Sequence, residues 1–315
     1  MHDRLRFIAP MPRLQKDGAT WVSELRRLEI LGFDTVAVSE HVTKGWQLSP
    51  LAAMAFAAAS TSRLRVLSLV MQNDLHHPAL LAKEISTIDV LSQGRIELGI
   101  GAGWQRDDYT ALGMAFENGR TRIARLAEAL DVIRRYFTME SVDFAGDYFR
   151  INQMEALPRC VQQPNPPILI GAGGPQMLDL AGQTADIVGI HATMGSDVID
   201  RAAVADLTCA SIEAKIERVR SAAVAAGRPT PRFQFSCYHV RVTDAAAGSG
   251  LRSTWSTHIE AAMDSLKDSP AVLVGTAVEC VEKLLEWRER FGITYWHLGP
   301  DVEAVSSIVE RLRSD

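Results

Sequence analysis

Four short segments of this sequence carry residue types that could do chemistry. The first is Ser39-Glu40-His41. A carboxylate beside an imidazole favours the imidazolium, and histidine needs little shift to exchange protons near neutral pH. The same pair also suits a capped loop with a solvated Glu40 and a hydrogen-bonded His41. The second is Met71-Gln72-Asn73-Asp74-Leu75-His76-His77-Pro78. Adjacent histidines point apart and rarely chelate one ion, so a polar loop leading into a helix is the preferred reading and no metal site is expected. The third is Gly99-Ile100-Gly101-Ala102-Gly103-Trp104. Its third glycine comes one residue too soon for a dinucleotide fingerprint, because Trp104 holds that place. Alternating glycines still allow close approach to the backbone. Trp104 then covers a flat ring or packs as a core residue of a tight turn. The fourth is Gly171-Ala172-Gly173-Gly174-Pro175, leading into a helix. Free N–H groups at a helix start suit a phosphate, and the same residues also make a short strand-to-helix turn. His191 is expected to face the site, and His239 and His297 to be packed side chains.

The elements that must position these segments alternate between strand and helix. Strands are expected at Leu5–Ala9, Asp34–Ser39, Leu64–Met71, Arg95–Ile100, Pro167–Ile170, Ile187–Ile190, Phe233–Val242 and Thr294–Leu298. Helices are expected at Ala19–Leu31, Leu51–Ser60, Pro78–Leu91, Gly119–Phe137, Pro175–Thr184, Ser211–Ala226, Glu260–Leu266, Val278–Phe291 and Val302–Arg313. The alternation pauses between Thr138 and Pro166, with a short hairpin expected around Gly146, and Val198–Asp206 reads as an insertion. Eight strands with intervening helices predict a closed parallel (β/α)8 TIM barrel with insertion segments, one domain over residues 1–315. An open doubly wound sheet is the alternative. In a barrel the site lies on the loops that follow the strands, where all four segments fall.

Bulk properties narrow the partners. The chain has 315 residues, 47% hydrophobic, with a net charge of −5. That charge supplies no field for nucleic acid or an anionic membrane. The four cysteines, at 160, 209, 237 and 280, are scattered, which argues against disulfides and a zinc knuckle. The N-terminus lacks a signal-like apolar stretch, and the longest apolar run, Ala52–Ala59, is far short of a membrane span. A cytoplasmic protein is expected.

Taken in order, these loops resemble the luciferase-like monooxygenase superfamily. The strongest segment is HPALLAKEISTIDVLSQGRIELGIGAGW, with Ser39-Glu40-His41 and Gly171–Pro175 adding independent support. The branch that uses the deazaflavin coenzyme F420 is the most similar. The resemblance implies Glu40 at the deazaflavin ring and His41 as proton donor. It places Met71, Ala102, Gly103 and Asp107 along the coenzyme and Gly173, Gly174, Gln176 and Met177 at its phosphate. It also implies a non-prolyl cis peptide within Val66–Met71, at Ser68–Leu69, whose bulge supports the ring. The sugar-phosphate dehydrogenases of this branch carry a glutamate where Trp104 stands, which argues against glucose-6-phosphate oxidation.

The expected function is F420-dependent hydride transfer with a small organic substrate. Alternatives are an FMN-dependent monooxygenase, a noncatalytic flavin-binding protein and, less favoured, a metal-dependent barrel hydrolase. A homodimer is expected from the relatives.

Overall fold

The computed structural model of the protein describes residues 4–43, 45–194, 200–245 and 255–313. Along the chain the elements are β1 (Arg6–Pro10), α1 (Gly18–Ile30), β2 (Thr35–Val38), α2 (Pro50–Ser60), β3 (Arg65–Ser68), β4 (Met71–Gln72), α3 (Pro78–Leu91), β5 (Ile96–Gly101), α4 (Arg106–Ala111) and α5 (Gly119–Thr138). There follow β6 (Ser141–Ala145), β7 (Arg150–Glu155), β8 (Ile168–Ala172), α6 (Pro175–Thr184), β9 (Ile187–Ile190), α7 (Arg201–Ala205) and α8 (Cys209–Ala225). The last are β10 (Arg232–Ser236), β11 (His239–Val242), α9 (Ser256–Ala261), α10 (Met263–Leu266), β12 (Val272–Gly275), α11 (Ala277–Phe291), β13 (Ile293–His297) and α12 (Val302–Arg311). By contacts the chain forms two compact units, Val38–Gly171 and the remainder, with the boundaries falling inside β2 and β8.

In the unit Val38–Gly171, β3 and β4 both pair in parallel with β5, through Val66↔Ile96 and Met71↔Ile100. They are two pieces of the single strand expected at Leu64–Met71. The interruption is a cis peptide at Leu69–Val70, one bond later than the Ser68–Leu69 position that the resemblance implied. β5 then pairs with β8 through Leu98↔Ile168. All six residues of β5 are buried, as expected for a parallel strand covered on both faces. α3 begins at Pro78, whose fixed φ and missing N–H suit a first turn. α5 turns Leu126, Leu130, Ile133 and Phe137 inward at helical spacing. The hairpin expected around Gly146 is present as antiparallel β6 and β7.

In the other unit, parallel pairs run β2–β1–β13–β10–β9. The expected strand Phe233–Val242 is two strands. β10 ends at Ser236, where Cys237 N bonds His297 O, and Tyr238 N and His239 N then turn to Ala271 O. β11 pairs instead with β12, a strand absent from the sequence reading. The uninterrupted alternation of FQFSCYHVRV hides this break. The expected helix Glu260–Leu266 is replaced by the shorter α9 and α10. Of the stretch Val198–Asp206, the first two residues lie outside the described residues, and α7 occupies most of the rest.

Candidate active site

Two carboxylate–imidazole pairs lie within the unit Val38–Gly171. The first joins His41, in the loop after β2, to Asp108 on α4. Asp108 is fully buried, and its Oδ2 lies 2.7 Å from His41 Nδ1. Its carboxylate also accepts from Gln72 Nε2 at 2.8 Å, Thr43 Oγ1 at 2.7 Å and Val42 N at 3.2 Å. Burial alone pushes an acid up, but the bonds from His41, Thr43 and Gln72 outweigh it and hold Asp108 below the usual carboxylate range. A carboxylate only accepts, so His41 Nδ1 donates, and Nε2 is the nitrogen left to exchange a proton with a ligand. The His41 ring lies 5.1 Å from that of Trp46 and 5.9 Å from that of Trp104. Both indoles are exposed, whereas the His41 side chain is only 11% exposed.

The second pair joins Glu40 to His76. The two Glu40 oxygens lie 2.9 and 3.0 Å from His76 Nε2, and Oε2 also accepts from Gln72 N at 2.8 Å. His76 is therefore no idle loop residue. His77, its neighbour, turns to the Phe149 ring instead. Among the described residues no cluster of three or more His, Cys, Asp or Glu side chains is arranged to hold a metal ion.

The glycines at 99, 101 and 103 face other parts of the protein at close range. A side chain at Gly99 would stand 1.8 Å from Ser68 O, and one at Gly101 would stand 3.1 Å from a Val70 methyl. Gly103 has φ +77°, and a side chain there would meet Tyr109 Oη at 2.2 Å. The closest approach to β5 is thus made by the β3–β4 bulge. Ser68 is fully buried, with Oγ donating to Gly99 O and accepting from Gly99 N. Its side chain stitches strands and is not free to meet a ligand. Met71 is buried at the start of β4, Leu69 and Ala102 are half-buried, and Trp104 is 36% exposed. Asp107 is exposed on α4, while the adjacent Asp108 turns inward.

Asp108, Gln72 and His76 do not stand out in the sequence as site groups. The pair Asp107-Asp108 one turn after a glycine loop was the available signal, but local sequence does not say which acid faces inward. Tyr109, also buried, donates to Asp74 at 3.1 Å, and Asp74 in turn pairs with Arg125. Burial and the Asp74 charge raise the Tyr109 phenol well above its ordinary range.

Gly173, Gly174, Gln176 and Met177 belong to the other unit. Gly173 must be glycine because a side chain would meet Ala192 O at 2.2 Å. Gly174 differs: the nearest atom to a side chain there is a Thr193 methyl, 3.7 Å away. Gly174 is the N-cap of α6, and no side chain caps that helix. Thr193 donates its hydroxyl to Gly173 O. Arg218 reaches Pro175 O but is held by both oxygens of Asp179. Lys215, buried, donates to His191 O and pairs with Asp206, which also accepts from Thr193 N. His191 is packed edge-on to Tyr238 and Trp255, with Nδ1 on Ala192 O. Burial above all lowers its tendency to carry a proton. Burial likewise lowers the pKa of His297 to about 4. His239 lies 3.7 Å from Glu260.

The luciferase-like monooxygenase family matches residues 8–295 of this sequence. The chain belongs to that family. An F420-dependent glucose-6-phosphate dehydrogenase of Kineococcus radiotolerans is 35% identical over 49% of this chain and 47% of its own. The chain spans about half the length of the curated relatives it matches. Among solved structures, monooxygenase RslO1 from Streptomyces bottropensis is 25% identical, covers 97% of both chains and has a TM-score of 0.71. An F420-dependent secondary alcohol dehydrogenase in complex with an F420–acetone adduct is 18% identical, covers 98% of both chains and has a TM-score of 0.76. These likenesses show the fold, a closed eight-stranded parallel β-barrel with helices, and they exclude the open doubly wound sheet. Among the described residues no helix is long and apolar enough to cross a membrane.

Proposed function

We propose that this member of the family is an F420-dependent oxidoreductase that transfers a hydride between the deazaflavin and a small organic substrate. The observation that carries the reading is the His41–Asp108 pair. A buried carboxylate fixes one nitrogen of a histidine and leaves the other for proton exchange, beside two exposed indoles. That is the equipment needed to move the proton that accompanies a hydride. The likeness to dehydrogenases named for F420 supports the cofactor.

The residues present fit such a cofactor. Gly174 offers open backbone at the uncapped start of α6, where N–H groups suit a phosphate. The nearby cation Arg218 is already held by Asp179, and the Thr193 hydroxyl is held by Gly173 O. Neutral donors match a singly charged phosphodiester better than a terminal dianion, which favours F420 over FMN. Gly173, Gly174, Gln176 and Met177 would hold the phosphate. Leu69, Met71, Ala102, Gly103 and Trp104 would line the ring. Glu40 acts through His76 and Gln72 rather than on a ligand directly. When bound, F420 supplies the hydride-accepting or hydride-donating carbon. The chain's part is to hold His41 in one orientation, keep Asp108 charged, and exclude water with Trp46 and Trp104. Trp104, in place of the glutamate of the sugar-phosphate enzymes, favours a substrate other than glucose 6-phosphate.

An FMN-dependent monooxygenase is the second reading; the likeness over nearly the whole chain to RslO1, named as a monooxygenase, supports its oxygenase part. Titration of the purified apoprotein with F420 and with FMN separates the two. Tight F420 binding with weak FMN binding is expected. Submicromolar FMN binding with no F420 binding would reverse the assignment. Binding without turnover of any acceptor would mark a noncatalytic flavin-binding protein.

A further inference from the structure

Gln72, the last residue of β4, is bonded to both carboxylate–imidazole pairs. It is 3% exposed. Its backbone N–H donates to Glu40 Oε2 at 2.8 Å. Its side-chain Nε2 gives one hydrogen to Glu40 O at 3.0 Å and the other to Asp108 Oδ2 at 2.8 Å. Its carbonyl Oε1 is buried without a partner. A buried acceptor left unpaired is costly, and such groups are rare enough to require a reason. Turning the amide over would set Oε1 against two other acceptors, Glu40 O and Asp108 Oδ2. The amide is therefore held as a double donor, at the expense of its own oxygen.

The oxygen that receives Gln72 Nε2 is the one that receives His41 Nδ1–H. Two donors share one lone-pair-bearing atom, so the strength of one bears on the other. We propose that Gln72 is a positioning residue that joins the Glu40–His76 pair to the His41–Asp108 pair and, through its share of Asp108 Oδ2, sets how readily His41 gives up its proton. This rests on the proton-exchange role proposed for His41 but not on the identity of the cofactor.

The direction follows from the groups around His41. Asp108 faces it from α4. Glu40, adjacent in sequence, is turned to His76 and Gln72 N. Trp46 and Trp104 present uncharged rings, and Thr43, Val42 and Gln105 act on Asp108. Removing a neutral donor from the Asp108 carboxylate leaves its charge less compensated, so it holds a protonated His41 more firmly. The His41 titration midpoint should rise.

The test is carbon–proton NMR titration of histidine-labelled, cofactor-free full-length protein, with the His41 signal assigned by its loss in His41→Gln. Gln72→Met keeps the length and removes the donor. Gln72→Asn keeps the amide but is one carbon too short to span Glu40 O and Asp108. Both should shift the His41 midpoint upward by roughly half a unit to one unit. The inference is overturned if either variant, shown folded by its near-ultraviolet dichroism and melting, titrates within about 0.2 units of wild type. If Gln72→Met fails to fold, Gln72→Asn carries the test alone. Because the measurement uses cofactor-free protein, a failure to bind F420 would overturn the proposed function and leave this result standing.

Discussion

His41 Nδ1 lies 2.7 Å from Asp108 Oδ2, a contact made across 67 residues of sequence. One side of the imidazole is thereby committed to a buried anion. The other is the only part of the ring that can exchange a proton with a ligand, and the predictions about chemistry follow from that division.

His41→Ala should lower turnover on an identified substrate by roughly 10²–10⁴-fold while changing cofactor affinity little. Asp108→Asn should act by a different route. An amide nitrogen at that place would oppose Nδ1–H and move the hydrogen to Nε2, so a loss of comparable size is expected. Steady-state kinetics with separately measured cofactor affinity decides the matter. Unchanged turnover in His41→Ala removes His41 from the mechanism.

Asp108 also makes a prediction about acid stability. Its folded pKa is depressed, so its contribution to stability is present above the ordinary carboxylate value of about 4 and is lost as pH falls through the lower folded value. Wild type should lose stability in that acidic window. Asp108→Asn, although less stable at pH 7, should lose less of its remaining stability there. Urea unfolding at pH 7, 5, 4 and 3 compares the two, and equal acid slopes would contradict the assignment.

Two glycines should respond in opposite ways to a single methyl group. Gly99→Ala drives a carbon to within 1.8 Å of Ser68 O and should cost roughly 3 kcal/mol or more, or prevent folding. Gly174→Ala meets nothing closer than 3.7 Å, at an ordinary φ of −80°. Its melting temperature should change little, because the entropy removed from the unfolded chain is offset by a poorer N-cap. Its affinity for a phosphate-bearing cofactor should fall about tenfold or more, equivalent to about 1.4 kcal/mol. Calorimetry and cofactor titration on both variants provide the comparison. Unchanged cofactor affinity in Gly174→Ala would remove that loop from the binding site.

Lys215→Met should destabilise the protein by about 2–3 kcal/mol, somewhat under the usual range for breaking a buried pair because Asp206 is 24% exposed. It should also loosen the loop at His191–Thr193 that rests on Gly173, and so weaken cofactor binding. Urea unfolding at pH 7 reads the first effect and titration reads the second. A loss below about 0.5 kcal/mol would show the pair to be dispensable.

Much of the fold was legible in the sequence because its signals are local. Helical spacing, Pro78 and Pro175 at helix starts, and apolar runs for doubly covered strands depend on neighbours a few residues away. α3, α6 and β9 lie where those signals place them. The splitting of the strand at Phe233–Val242 was invisible, because both halves keep the alternation and only the pairing with β12 parts them. The glycines were recognised as points of close approach. What approaches them, namely Val70, Ser68 O, Tyr109 and Ala192 O, is decided by strand register and not by the glycines themselves.

The site divides in the same way. The types and order of Glu40, His41 and the glycine loops stood in the sequence, along with the likeness they carry. Which acid serves His41 did not. Asp107 and Asp108 are equivalent in composition and differ by one step of a helix, about 100° of rotation, which places one in solvent and the other in the core. Gln72 and His76 acquire their roles only when β4 is set beside β5 and the loop after β2 is brought over it. A hydrogen bond depends on fractions of an ångström between groups dozens of residues apart, and only the packed chain supplies that precision.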